Sequence, residues 1–473
     1  MDQLSVLEQV VRIAWLIAAA GFVIGLIQMN SPATARNGNL VSAAGMTLAI
    51  VATGVLLAFG DGEHGISPVG WLIIVGGIAL GGGLGLYTAR TVKMTAIPQL
   101  VSLFNAVGGG AAALIAVDDY LRVSGVPNHN LFTILDILIG SITFSGSLVA
   151  SGKLMGLRIT PSRPVHIPGG RLLTIALALI VVVGSAYLLA PNLSVPVMLL
   201  ILAAALIFGI TMTMPIGGAD MPVVISLLNS FTGTAVAMAG FVLDSTVLII
   251  AGALVGASGA ILTKLMADAM NRSILNIMLG GFGGGDQATA SAVAGPGGGV
   301  RSVAVDDVAI QLAYASSVIV VPGYGLAVAQ AQHALRELAD LLEARGVDVK
   351  YAIHPVAGRM PGHMNVLLAE AGVPYPQLKE MEEVNPEFER CDVALVVGAN
   401  DVTNPAARRP GSPVSGMPIL DVDKARSIIV IKRSMGKGYA GIDNELYINP
   451  KTGMYFADAK QGLADLIPAV KAV

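Results

Sequence analysis

The sequence predicts a multi-span α-helical membrane domain of about nine helices, followed by a cytoplasmic α/β domain with a Rossmann-like parallel sheet. Three observations carry that expectation. Of the 473 residues, 54% are hydrophobic and 12% are charged, where an ordinary soluble domain carries about 25% charge. The apolar residues are concentrated in positions 1–270, whereas the chain from Val305 onward has the composition of a soluble protein. Between the two lies Gly280–Gly299, rich in glycine and alanine, with no periodicity and little to bury. The expected organisation is a membrane domain at 1–272, a flexible linker at 273–304 and a soluble α/β domain at 305–473.

A bilayer-spanning helix needs about 20 mostly apolar residues. Nine stretches qualify: 7–29, 40–59, 69–89, 98–117, 131–151, 172–190, 195–214, 221–241 and 246–268. The start, Met1-Asp2-Gln3, lacks the basic region of a signal peptide, so the first span is expected to remain. Basic residues orient the set. One group of loops holds Arg36, Arg90, Lys93, Lys153, Arg158, Arg163, Arg171 and Arg272, while the opposite group holds only Arg122 beside Asp61, Glu63, Asp118 and Asp119. The basic side is therefore expected in the cytoplasm together with the C-terminal domain, and the N-terminus outside.

Glycines crowd the spans, as in Gly81–Gly85, Gly108–Gly110 and Gly252–Gly259. Their expected use is close helix packing, which small residues permit in lipid. Polar groups inside spans are costlier and mark candidate functional positions. They are Asn105, Asp136, Ser226, Asn229, Ser230, Thr232, Ser258 and Lys264, with Asp220 at the mouth of the eighth span. Serine and threonine can instead bond their own helix, and the asparagines can join neighbouring helices. No row of carboxylates marks a proton wire, and no potassium-channel filter is present.

In the C-terminal part, Ser317–Val321 is a β-branched run expected as a buried strand. Pro322-Gly323-Tyr324-Gly325 follows, with the first two glycines of a G-x-G-x-x-G fingerprint and Val328 at the third place. A helix is expected from Ala327 to Arg345, then a strand from Val347 to Ile353. That strand ends without the acidic residue that takes an adenosine ribose hydroxyl, which favours NADP over NAD. A 2′-phosphate needs cations, and Ser427–Ile431 delivers Lys432, Arg433 and Ser434 at a strand's carboxyl end. Further strands are expected at 393–397, 418–420 and 454–456. Three loops have the look of ligand loops: His354–His363, with Ala357, Gly358 and Arg359; Gly398–Asp401, with Asn400; and the glycine-hinged Met435–Gly441, with Tyr439.

Other chemistry is excluded. Cys391 is the single cysteine and the six histidines lack ligand spacing, so no metal centre is expected; a net charge of −3 does not suggest nucleic acid.

Long motifs add a resemblance. Gly217–Val224, Pro322–Gln332, His354–Ala371, Gly398–Asp401 with Asn404-Pro405, and Lys432–Met435 with Gly438–Gly441 together resemble the beta subunit of proton-translocating NAD(P) transhydrogenases over nearly the whole chain. The resemblance implies NADP(H) on this chain, NAD(H) on a separate alpha subunit, a dimer of alpha-beta units, and a bacterial inner-membrane location. It implies direct hydride exchange coupled to proton movement. It matches Lys432, Arg433 and Ser434 to the 2′-phosphate, and Tyr324, Arg359 and Tyr439 to other NADP contacts. It places Asp401 near the nicotinamide, and Asn229, Asp220 and Ser258 in proton passage or domain contact. In this family the nucleotide lies reversed in the fold, so the glycine turn need not hold a pyrophosphate. Some members carry a membrane histidine where this chain has Asn105, and an amide cannot titrate near neutrality. The competing class is a transporter or channel gated by a nucleotide-sensing domain. A membrane reductase is a further alternative, for which no flavin, haem or metal site is visible.

Overall fold

The computed structural model describes the chain except residues 1–5, 60–65, 124–126, 162–163, 166–168, 190–193, 218–219, 272, 275–276, 279–298, 361, 411, 413 and 439. Tyr439 and most of the expected linker thus lie outside the described residues.

Among the described residues, nine helices are long and apolar enough to cross a membrane. They are α1 (Val6–Gln28), α2 (Pro32–Phe59), α3 (Pro68–Thr91), α4 (Ile97–Val123), α5 (Pro127–Met155), α6 (Gly170–Leu189), α7 (Val195–Thr213), α8 (Met221–Val242) and α9 (Thr246–Ala269). Each coincides with an expected span. With no water available, every backbone group is satisfied inside the helix.

Glycine sets how closely these helices approach. A Cβ on Gly233 of α8 would lie 2.8 Å from Gly256 Cα of α9, and one on Gly252 of α9 would lie 2.7 Å from Gly233 O. A Cβ on Gly109 of α4 would lie 3.0 Å from Gly140 O of α5. Helix α3 differs. It has no buried residue, and a Cβ at Gly76, Gly77, Gly81, Gly82, Gly83 or Gly85 would meet nothing within 4 Å. Close packing thus accounts for the glycines of α4, α5, α8 and α9 and for none of those six in α3.

The C-terminal unit is built on a six-stranded, all-parallel sheet in the order β3-β2-β1-β4-β5-β6. The strands are β1 (Ser317–Pro322), β2 (Asp348–Ile353), β3 (Leu378–Glu380), β4 (Val393–Val397), β5 (Ser427–Lys432) and β6 (Thr452–Phe456). This is the doubly wound order, whose ligand crevice opens between β1 and β4. The helices are α10 (Val305–Ala313), α11 (Tyr324–Ala329), α12 (Gln332–Glu343), α13 (His363–Glu370) and α14 (Ala459–Ala472). Parallel strands buried on both faces read as continuous apolar runs, and β4 (Val-Ala-Leu-Val-Val) is buried throughout. Val318 and Val320 face one layer, with Leu312, Leu335, Leu338, Leu342, Leu463 and Leu466 of the helices. Ile319 and Val321 face the other, with Phe388, Leu420, Val422, Leu446 and Tyr447 from short helical turns and loops. Arg301–Val303 run beside β6, with Val303 N donating to Met454 O and Met454 N to Arg301 O.

Two expectations are corrected. The single helix expected at 327–345 is two, α11 and α12, separated by Gln330 in the left-handed region (φ 51°). At about 100° per residue a continuous helix would set Leu326 and Leu335 on opposite faces. The break lets both enter one core, where each is fully buried. Pro418–Leu420 is not a strand; Leu420 N donates to Val402 O, and Ile419 O accepts from Asn385 Nδ2.

Candidate functional site

The carboxyl ends of three strands lie level. Pro322 of β1 pairs with Val397 of β4, and Val397 with Ile431 of β5. The next residues, Gly323, Gly398 and Lys432, therefore emerge together on the side where such sheets bind ligands.

Two glycine loops are stitched to each other there. Gly323 N donates to Val397 O and Gly325 N to Gly398 O, both at 2.9 Å. A Cβ on Gly398 would lie 2.5 Å from Leu326 N, and one on Gly325 2.7 Å from Gly398 Cα. Gly398 also has φ +71°, which an L side chain rarely adopts. The glycines thus serve loop-to-loop packing, and two N–H groups of the turn are engaged within the protein.

A cavity of about 420 Å³ opens at this point, lined by Gly323, Tyr324, Gly325, Ala357, Gly358, Asn400, Asp401, Lys432 and Lys437, among others. A neighbouring cavity of about 260 Å³ is lined by Asn400, Lys432, Arg433, Ser434, Lys437 and Asp458, among others. Of the expected nucleotide-site residues, all but two thus line one or both cavities. Arg359 stands beside them, its guanidinium 4.6 Å from the centroid of the Tyr324 ring. Tyr439 falls outside the described residues.

Local bonds hold these side chains in place. Asp401 Oδ2 accepts from Ala440 N at 3.0 Å, and Gly438 lies so close to this carboxylate that a Cβ there would collide with it. Gly438 and Ala440 of the Met435–Gly441 segment therefore lie against Asp401. Asn400, with its amide assigned by the surrounding network, accepts from Gly438 N at 2.7 Å and from Lys432 Nζ at 3.3 Å. Lys432 Nζ also donates to Gly436 O and lies 4.7 Å from the Tyr447 ring centroid. Burial pushes the Lys432 ammonium below its ordinary range, opposed by Asp401 and Asp443. An anion beside it would relieve that cost.

Two buried histidines shape the loop after β2. His354 Nδ1 accepts from Val356 N at 3.2 Å and its Nε2 faces Pro418 O at 2.8 Å. His363 Nδ1 accepts from Arg359 N at 3.0 Å. Both are held neutral, with the remaining proton on Nε2. Burial lowers the proton affinity of each, and Arg359 lowers that of His363 further.

The membrane candidates do not form one cluster. Ser226 and Ser230 of α8 donate to Gly259 O and Gly256 O of α9 at 3.2 and 2.7 Å. Thr232 donates to Asn105 O at 3.3 Å, and Asn105 Nδ2 to Ile225 O at 3.4 Å, joining α8 to α4. Ser258 donates to Leu254 O of its own helix. Asn229 lies between these two seams, half-buried, with no hydrogen bond among the described residues. Asp220 directly precedes α8 and is half-buried. No group of three or more histidine, cysteine or acidic side chains suited to a metal occurs among the described residues.

Sequence reading missed Lys437, which lines both cavities, and Asn444, which donates to Asn400 O at 2.9 Å. The glycines flanking Lys437 were its only signal.

Comparison with known proteins now decides the family. The profile of the NAD(P) transhydrogenase beta subunit matches residues 11–469. The chain is 47% identical over 468 residues to the NAD(P) transhydrogenase subunit beta of Rhodospirillum rubrum, covering 97% of this chain and 98% of that one. A second Rhodospirillum rubrum sequence of the same name matches equally. The chain belongs to the NAD(P) transhydrogenase beta-subunit family. As a transhydrogenase beta subunit it is one part of an enzyme, and its nine apolar helices make it a multi-pass membrane protein.

Proposed function

We propose that this transhydrogenase subunit binds NADP(H) across the two cavities at the ends of β1, β4 and β5, and that hydride passes between that nucleotide and NAD(H) held on a partner alpha subunit. The observation that carries the reading is Lys432, Arg433 and Ser434 bordering one cavity where a strand ends. Two cations and a hydroxyl suit a phosphate monoester.

The bound nicotinamide supplies the hydride chemistry. The chain's own residues orient and enclose. Lys432, Arg433 and Ser434 hold the 2′-phosphate. Tyr324 and Arg359, stacked on one another, border the nucleotide with Ala357, Gly358 and Tyr439. Asn400 and Asp401 face the nicotinamide end, and the 435–441 segment covers it. Reacting carbons must approach to roughly 3–3.5 Å, so the partner's nucleotide has to dock against this edge.

In the same reading the chain works in a dimer of alpha-beta units in a bacterial cytoplasmic membrane, with its N-terminus outside and the α/β domain in the cytoplasm. Asn229, Asp220 and Ser258 belong to proton passage or its coupling to the domain. One charge crossing 100 mV supplies about 2.3 kcal/mol, which shifts an affinity ratio roughly fifty-fold. That suffices to switch NADP(H) between tight and loose binding.

Calorimetry on the detergent-solubilised complex tests the site. Lys432→Ala/Arg433→Ala should weaken NADPH by roughly 10- to 100-fold, as expected from lost charge-assisted bonds of about 1.5–3 kcal/mol, and leave NADH unchanged. A double variant that keeps full preference for NADPH defeats the assignment. In sealed vesicles with a pH dye, hydride transfer that needs the alpha subunit and acidifies one side separates this function from a gated channel.

A further inference from the structure

Two charged-type side chains are completely buried in the described spans, Asp136 and Lys153, both on α5. Lys153 is committed: its Nζ donates to Met214 O at 2.6 Å and Ile216 O at 2.9 Å, just beyond the end of α7. Neither oxygen of Asp136 has a hydrogen-bond partner among the described residues. An acid in that setting is costly for packing alone, since leucine would fill the space without the polar penalty.

Its neighbours on α5 locate it. Phe132, one turn before, stacks on Phe241 of α8 at 4.5 Å. Ile139, one turn after, packs with Ala112 of α4 and Ala235 and Ala239 of α8. Gly140 lies against Gly109 and Ala113 of α4. Asp136 is thus on the stripe of α5 that faces the α4–α8 seam. Charged or titratable groups on the elements around it are few. Helix α4 offers Asp119, whose Oδ2 accepts from Thr133 one turn from Asp136 at 2.8 Å, Tyr120, whose hydroxyl accepts from Ser194 N, and Asp118, paired with Arg122. Helices α7 and α8 carry no charged side chain over 195–213 and 221–242. Lys153 is 17 residues further along α5, or about 25 Å at helical rise.

A polar track leaves Asp136 on the same stripe. Thr143, Ser147 and Ser151 follow at helical spacing, all buried. Ser147 Oγ has no partner among the described residues. Ser102 of α4 donates to Ser147 O at 2.8 Å, and Ser151 donates to Gln99 O at 3.1 Å. The track therefore reaches the level of Asn105, the amide that cannot titrate.

We propose that Asp136 is an exchangeable proton site of the helical bundle, taking a proton on one carboxylate oxygen from one face and releasing it from the same atom toward the other. An O–H bond forms and then breaks, and no electrons move. The inference rests on the proton-coupled reading above.

The test uses the complete alpha-beta complex in sealed vesicles. Asp136→Asn keeps the shape and removes the exchangeable carboxyl. It should slow both proton movement and coupled hydride transfer at least about tenfold, the lower range for loss of a proton-transferring group, while NADPH binding is retained. Asp136→Glu should recover activity with a displaced pH profile, which a purely structural role would not produce. Infrared spectroscopy reads the group directly. The wild type should show a buried carboxylic C=O band that shifts in D₂O during turnover and is missing from Asp136→Asn. An Asn variant pumping at the wild-type rate, or a band that never shifts in D₂O, overturns the proposal. Wild-type vesicles that transfer hydride without moving protons would sink the coupling reading instead, and the D₂O shift would still decide whether Asp136 exchanges.

Discussion

Gly398 tests whether the site's glycines exist for loop packing. Gly398→Ala adds two separable costs. The first is conformational: φ +71° places an alanine in the left-handed region, at about 1–2 kcal/mol, less about 0.4–1 kcal/mol because alanine also restricts the unfolded chain. The second is steric: its Cβ would lie 2.5 Å from Leu326 N and 2.6 Å from Gly325 Cα, where ordinary contact begins at 3.4 Å. Backbone atoms cannot rotate aside, so the loops must part, at about 1–3 kcal/mol. At mid-range values the sum is about 3 kcal/mol. Two other glycines isolate the parts. Gly346 has φ +87° with nothing within 4 Å of its Cβ, so Gly346→Ala carries only the first cost, about 1 kcal/mol. Gly325→Ala carries only the second, with its Cβ 2.7 Å from Gly398 Cα. Hydrogen exchange of the detergent-solubilised protein reads Gly398→Ala and Gly325→Ala as local opening of β1 and β4, and Gly346→Ala as opening at the start of β2. Gly398→Ala should accelerate exchange in β1 and β4 by roughly 100-fold and Gly346→Ala that at the start of β2 by roughly fivefold, at 1.4 kcal/mol per decade. Equal acceleration by the two would refute the packing argument.

Three further outcomes follow from the same geometry. Burial lowers the proton affinity of His354 and His363 from the ordinary 6.5, so the unfolded loop binds protons first. Its stability is complete above that value and declines as pH falls below it. Exchange protection of 354–363, corrected for intrinsic rates, should drop between about pH 7.5 and about pH 5; constant protection would contradict it. Asn404 is fully buried, with Oδ1 accepting from Ala406 N and Nδ2 donating to Asp443 O. Asn404→Leu orphans both partners and should cost about 2–4 kcal/mol, seen as faster exchange across 401–408 and weaker NADPH binding. Gly252→Leu should lower the temperature of thermal aggregation in detergent, because α9 rests on Gly233 O there, whereas Gly81→Leu should leave the isolated chain unchanged.

How much was legible depends on how local each signal is. The spans were visible because length and apolarity alone make a membrane helix. Strands β1, β4 and β5 were visible because burial on both faces makes their sequences continuously β-branched. Strand β3, three residues reading Leu-Lys-Glu, has no such pattern, since it forms the exposed edge of the sheet. Pro418–Leu420 has the pattern and no partner strand. The break at Gln330 could not be read locally either, because it follows from where two separate leucines must be buried. In the site, motif spacing found the residues that emerge from strand ends. Lys437 lies in the glycine-hinged 435–441 segment, whose glycines mark the loop and not the side chain, and Asn444 reaches the site from the turn that follows, where nothing in its own neighbourhood distinguishes it from a turn residue.

The same distinction separates structural from functional polar groups in the bundle. Ser226, Ser230 and Thr232 are equally improbable in lipid when read from the sequence, and each proves to be tied to a carbonyl of a neighbouring helix. A hydroxyl so bonded contributes to association and has no proton to relay without losing that bond. Asn229 and Asp136 lie among them with no hydrogen bond in the described residues. A fully buried acid is kept without a partner in the static structure where something else satisfies it, such as a water, a proton or a second arrangement of the helices. In the α/β domain the glycine-turn N–H groups are engaged internally, while Arg433 borders a cavity without an ion pair among the described residues. Arg433 at the cavity and Asp136 in the bundle are thus each a group that folding leaves without a partner among the described residues, where a ligand or a proton could meet it.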